Sequence, residues 1–170
     1  GSGVAIWLAL ARWAADRQSD YTFVFTANSG HEHAFRGAHE FLERNAPPVD
    51  KTKLWIHFGA GAATLEWEKT ANGLQKQTNV DPNRRFYFSS DVKGSFEKSF
   101  KDIEAQKILA NENPGGELGY VAKKGYTRFA GVSYGHPFFH AKIDDENTTS
   151  AEILEVTAKA FRDLILEEIK

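Results

Sequence analysis

The 170-residue chain contains no Cys and no Met. Without Cys, disulfides, thiolate nucleophiles and Cys-based zinc or iron–sulfur sites are all excluded, whatever the compartment. The lack of Met, together with the opening Gly1-Ser2-Gly3, reads as a chain that is not an intact translation product. Neither sign of charge is in excess: 21 Lys plus Arg face 23 Asp plus Glu, for a formal charge of -2. The basic residues are scattered, so the broad positive field of a nonspecific nucleic-acid binder is missing, and no nucleic-acid partner is expected. Long hydrophobic runs are absent too. Residues 4–13 are apolar, but this is well short of the roughly twenty residues a membrane-spanning helix needs, so no transmembrane segment is expected. No basic stretch precedes the run and no processing site follows it, as a signal peptide would require, so it reads as a buried or half-buried helix. The small-residue stretch Gly59-Ala60-Gly61-Ala62-Ala63 carries no phosphate-loop Lys and no dinucleotide fingerprint, so no nucleotide cofactor is expected.

What is present is apolar surface: 41% of residues are hydrophobic and 13% aromatic, enough for the core of a single domain over residues 1–170. Val4, Trp7, Leu8, Ala11, Ala14 and Ala15 recur at three- and four-residue spacing and predict a helix over 3–17. The aromatic and β-branched run 21–27 predicts an interior strand, ended by Asn28, Ser29 and Gly30. A helix over 33–44 follows, with Ala34, Ala38, Phe41 and Leu42 inward, stopped before Pro47 and Pro48. Strands are predicted at 53–58, 84–88 and 127–133, a short strand with turns within 65–83, and helices at 92–110, 117–123 and 150–170, with a turn at 111–116 and a loop at 137–145. Helices alternating with strands predict an α/β fold with a mostly parallel or mixed central sheet, because parallel neighbours need helical crossovers.

The chemistry-bearing residues sit where strands end. His31, Glu32 and His33 follow the first strand, His57 ends the next, and His136 and His140 lie before the last helix beside Asp144, Asp145 and Glu146. Open α/β sheets bind ligands at this carboxyl edge. Imidazole and carboxylate are zinc ligands, and a Glu beside a metal-bound water can take its proton, so the local residues point first to metal-assisted hydrolysis. The spacing His-Glu-His is not the HExxH zinc motif, and any single His is more often a surface or capping residue than a ligand. Ser90 with Asp91, or Ser133 with His136, could be drawn as parts of an esterase, but neither Ser lies in GxSxG. No carboxylate pair is fixed at a glycosidase separation.

The order GSGVA plus helix, apolar strand, GHEHAFRGAHEFLE, LWIHFGAGA and PFFHAKIDD plus helix resembles the catalytic core of the zinc-dependent aminopeptidase family that includes the bacterial leucyl aminopeptidases and glutamate carboxypeptidase II. The resemblance implies a three-layer α/β/α sandwich of the zinc-exopeptidase kind, two metal ions, and hydrolysis of peptide or aminoacyl amide bonds in a secreted or periplasmic setting. The family's Glu-Glu pair falls on His31 and Glu32, which makes Glu32 a zinc ligand and puts His31 in the place of the catalytic base. The metal-binding Asp of the next strand falls on His57, the late ligand His on His140, and Asp144 or Asp145 lies near the acidic residue beyond it. The upstream His and bridging Asp would precede the first helix, where the chain has Gly1, Ser2 and Gly3. The resemblance therefore implies a divergent hydrolase with Glu32, His57 and His140 as a three-ligand Zn2+ set and a peptide or small molecule as substrate. The alternative is a noncatalytic peptide-binding or structural domain on the same fold, in which these side chains are dispersed.

Overall fold

A computed structural model describes residues 1–111 and 113–170. Its elements are helix α1 (Ser2–Ala15), α2 (Arg36–Arg44), strand β1 (Trp55–Phe58), β2 (Leu65–Thr70), β3 (Gly73–Val80), β4 (Arg85–Phe88), α3 (Lys93–Ser99), β5 (Gln106–Leu109), α4 (Leu118–Lys123), β6 (Phe129–Val132) and α5 (Ala151–Glu168). Four strands form a mixed sheet in the order β1-β6-β4-β5. β1 runs parallel to β6 and β4 parallel to β5, while β4 and β6 are antiparallel.

Strand alternation sends successive side chains to opposite faces, and each face finds its own helical layer. Ile56, Phe58, Phe86, Phe88, Ala130 and Val132 pack with Ile6, Leu10, Phe96, Phe100, Phe161 and Leu164 from α1, α3 and α5. Trp55, Tyr87 and Phe129 pack with Leu42, Leu118, Val121 and Tyr126 on the side of α2 and α4. This is the three-layer α/β/α sandwich expected. Stacked and edge-on Phe rings fill the first layer, with Phe96 4.2 Å from Phe100 and Phe161 5.0 Å from both Phe58 and Phe100.

Several expectations are corrected. Residues 21–27 form no regular secondary structure and join no sheet among the described residues. Phe23 and Phe25 still pack on the core, edge-on to Trp13 and Trp7, so the apolar pattern reports burial and not pairing. α1 buries Gly3, Ile6, Leu10 and Ala14, leaving Val4 and Leu8 exposed. The helix turns this way because Gly3 lies so close to β1 that a Cβ would sit 2.4 Å from the Gly59 carbonyl oxygen. α2 starts at Arg36 because Ala34 and Phe35 take left-handed backbone angles. The predicted helix 92–110 divides into α3 and β5: the helix-favouring composition of 104–110 yields to pairing with β4. Residues 65–80 form an antiparallel hairpin closed by the turn Ala71-Asn72, with Gly73 at φ 109° where β3 begins. The turn expected over 111–116 includes Glu112, which lies outside the described residues.

Candidate site at the carboxyl edge of the sheet

β1 ends at Phe58, and its alternation turns His57 to the α2/α4 side of the sheet. Room for the imidazole is made by glycines. Gly131 pairs with His57 in register, and a Cβ there would meet the His57 carbonyl oxygen at 2.8 Å and its Cβ at 3.0 Å. A Cβ on Gly59 or Gly116 would come within 3.3 or 3.4 Å of His57 Nε2. Gly116 takes φ 64°, a left-handed angle that suits glycine and sets Glu117 at the head of α4.

Glu117 then stands between two imidazoles. His31 Nδ1 donates to Glu117 Oε1 at 2.8 Å, and His57 Nε2 lies 3.5 Å from Glu117 Oε2. His57 and Glu117 are each 18% exposed at the side chain, whereas His31 is half exposed. Burial holds the His57 imidazole below its ordinary range; Glu117 opposes that shift and His31 adds to it. His57 is therefore kept neutral, and its neighbour Glu117 is free to accept from His31. Phe35 stacks edge-on to His31, and Tyr120 meets both Phe35 and His39, which makes an aromatic wall beside the trio.

The other proposed site residues lie elsewhere. Glu32 Oε1 is 3.3 Å from His140 Nε2, and both side chains are largely exposed. His140 has φ 63° and stacks on Phe139. His136 pairs with Asp144 at 3.3 Å and not with Ser133, while Ser90 reaches Asp91 at 3.4 Å. The structure thus brings His31 together with His57 and Glu32 together with His140, in two separate pairings. Among the described residues, no group of three His, Asp or Glu side chains is arranged to hold a metal ion. Glu32, His57 and His140 consequently do not fit a three-ligand zinc centre as they stand. Glu117 is a candidate site residue that the sequence alone did not single out. Its one signal was a carboxylate directly after Gly115-Gly116 at a helix start.

No helix among the described residues is long and apolar enough to cross a membrane. A family model described as "Peptidase family M28" matches residues 1–165. Among solved structures, the chain is similar to BSAP, a zinc aminopeptidase from Bacillus subtilis, with 17% identity and a TM-score of 0.69. That match covers 99% of this chain and 41% of the other. It is also similar to LapA of Legionella pneumophila, with 15% identity and a TM-score of 0.63, over 99% of this chain and 47% of that one. The chain spans less than half the length of either structure, and at these identities the likeness is one of fold. No curated protein matches it.

Proposed function

The chain belongs to peptidase family M28, and from that premise we propose that this peptidase-like hydrolase domain recognises peptides at the carboxyl edge of its sheet without cleaving them. One observation carries the reading: the side chains that would have to share a metal are split between an exposed pair, Glu32 and His140, and a half-buried trio, His31, Glu117 and His57. The B. subtilis relative is a zinc aminopeptidase, and catalytic zinc needs three protein donors around one point with a fourth position open. Among the described residues no three such donors are grouped around one point. The trio instead suits recognition. Glu117 offers carboxylate oxygens to an amino or amide N–H, His31 keeps one ring nitrogen free once Nδ1 is committed to Glu117, and neutral His57 lines the inner wall.

The test combines binding with turnover. Dipeptides and an aminoacyl p-nitroanilide are titrated into the chain with and without saturating zinc, following the imidazole NMR signals and released product. The expected result is dipeptide binding that shifts the His31 and His57 signals, weakens about tenfold on Glu117→Gln through loss of a charged hydrogen bond, and gives no zinc-dependent hydrolysis. Hydrolysis that requires zinc and is lost in Glu32→Ala or His140→Ala would overturn the reading in favour of the hydrolase.

A further inference from the structure

Ala34 and Phe35 stand one after the other in left-handed backbone conformations, at φ 54° and 59°. A side chain in that region crowds the following carbonyl oxygen, so two successive non-glycine residues persist there only where the surrounding bonds over-determine them. Those bonds are present. His33 and Arg36 N–H both donate to the Gly30 carbonyl, Phe35 N–H to the His31 carbonyl and Gly37 N–H to the Ser29 carbonyl. Gly37 permits the last of these, because a Cβ there would sit 2.3 Å from the Ser29 oxygen. The strain does not serve the core: among the described residues, Phe35 belongs to neither of the two layers packed on the sheet. What the turn fixes is the position of one ring.

That ring meets the site through His31. Nδ1 of His31 is held by Glu117 at 2.8 Å, and the same imidazole lies edge-on to Phe35 at 4.7 Å. Beyond Phe35 stands Tyr120 at 5.6 Å, and Tyr120 meets His39 at 4.0 Å. Rings from α2, α4 and the loop before α2 thus form one surface that begins a single imidazole's width from the Glu117 carboxylate. It is open to solvent: His31 is half exposed, His39 exposed, and Phe35 and Tyr120 partly so. Charge restricts what it can take. Lys123 Nζ lies 5.4 Å from the Tyr120 ring centre, so the cation–π position on that ring is already held by the chain's own ammonium. A cationic side chain would meet that ammonium at the far end of the surface, and an anionic one would lie beside the Glu117 carboxylate at the near end. A neutral aromatic ring meets neither penalty and gains edge-to-face contact.

We propose that His31, Phe35, Tyr120 and His39 form a specificity wall, which selects peptides by an aromatic side chain on the residue whose N–H meets Glu117. Phe35 is the specificity-determining residue, and the strained turn Ala34-Phe35 is the device that holds its ring in place. The inference rests on the peptide-binding reading above and adds which peptides the site takes. An aromatic contact of this kind tightens binding by about two- to tenfold beyond the burial of the same apolar area.

The test titrates Phe-Ala, cyclohexylalanyl-Ala and Ala-Ala into the chain and into its Phe35→Ala and Phe35→Leu variants, following the imidazole NMR signals of His31 and His57. Phe-Ala and cyclohexylalanyl-Ala carry nearly the same apolar bulk, so comparing them separates ring contact from burial. The parent chain should bind Phe-Ala about two- to tenfold more tightly than cyclohexylalanyl-Ala, and Ala-Ala more weakly than either. In both variants the preference for Phe-Ala over cyclohexylalanyl-Ala should vanish, while Ala-Ala still binds and still shifts His57. The Leu variant keeps apolar bulk at the turn and decides the matter should the Ala variant unfold. Equal affinity of the parent for Phe-Ala and cyclohexylalanyl-Ala, or a preference retained in Phe35→Leu, would overturn the proposal. If all three dipeptides bind alike and shift His57, the wall fails and the peptide-binding reading stands. If no dipeptide binds, both fail.

Discussion

Arg84 is 2% exposed and is the largest fully buried side chain in the molecule outside the aromatic core. Its guanidinium donates to the Ala62 carbonyl at 2.7 Å, to Thr157 Oγ1 at 3.2 Å and to the Glu104 carbonyl at 2.7 Å, tying the Ala62 crossing and the approach to β5 onto α5. Two opposing quantities decide what Arg84→Met does. Three hydrogen bonds from a charged donor are worth about 1.5–3 kcal/mol each, or roughly 4.5–9 kcal/mol in all. Against them stands desolvation: burial brings the guanidinium down from its ordinary range to about 10, only partly opposed by Asp81 and Glu104. At about 1.4 kcal/mol per pH unit that fall corresponds to roughly 3 kcal/mol, which Met would recover. Hydrogen bonding wins, and a net loss of about 3 kcal/mol is expected, so Tm should fall by about 6–12 °C for a domain of this size.

Differential scanning calorimetry with a parallel urea titration reads this directly. Arg84→Lys sharpens the test, because it keeps the buried charge while giving up the planar fork that reaches two carbonyls at once. It should fall at least as far as Arg84→Met. A Met variant as stable as the parent, or a Lys variant that recovers the parent's Tm, would refute the reckoning: the first by making desolvation the larger quantity, the second by making charge alone sufficient.

Gly131→Ala should cost about 1–3 kcal/mol by overpacking and displace His57, seen as a lowered Tm with a moved His57 imidazole signal; an unmoved signal at parental Tm would show that β1 and β6 part without strain. His57 is held below 6.5 by burial, so its contribution to stability is complete above about pH 6.5 and is lost as pH falls through 6.5 toward its lower folded value. His57→Gln should therefore flatten the dependence of urea-derived stability between about pH 7 and pH 5, and an unchanged slope would assign it to other groups. Ser150 caps α5 by accepting from Ile153 N–H at 3.4 Å, so Ser150→Ala should lower stability by about 1 kcal/mol, measured by the same urea titration.

The strands that the sequence made legible are the ones whose side chains are buried on both faces or nearly so: 85–88 and 129–132 sit between helical layers, and their aromatic and β-branched runs stand out against Gly, Ser and Asn boundaries. Where the sequence misled, the deciding contact was remote. Residues 104–110 favour helix locally and become an edge strand because β4 offers a ladder. Residues 21–27 have strand composition and two half-buried Phe side chains but no ladder, because composition reports the environment of side chains and is silent on whether a neighbour's backbone stands alongside.

The site divides along the same line. His31, Glu32, His57 and His140 could be picked out one by one, since each ends a strand or precedes a helix, but which of them meet is decided by strand order. Glu117 reaches His57 because β6, carrying Gly131, lies directly against β1, and because Gly116 turns the chain so that α4 starts over that strand. Three glycines far apart in sequence, Gly59, Gly116 and Gly131, form a single hollow around one imidazole. Such a hollow gives up side-chain packing at three positions next to the sheet, and what it gains is an imidazole whose Nε2 is turned toward Glu117. That orientation bears on function. To serve with Glu32 and His140, His57 would have to leave the one carboxylate that offsets its burial. A peptide terminus entering beside Glu117 asks for no such rearrangement.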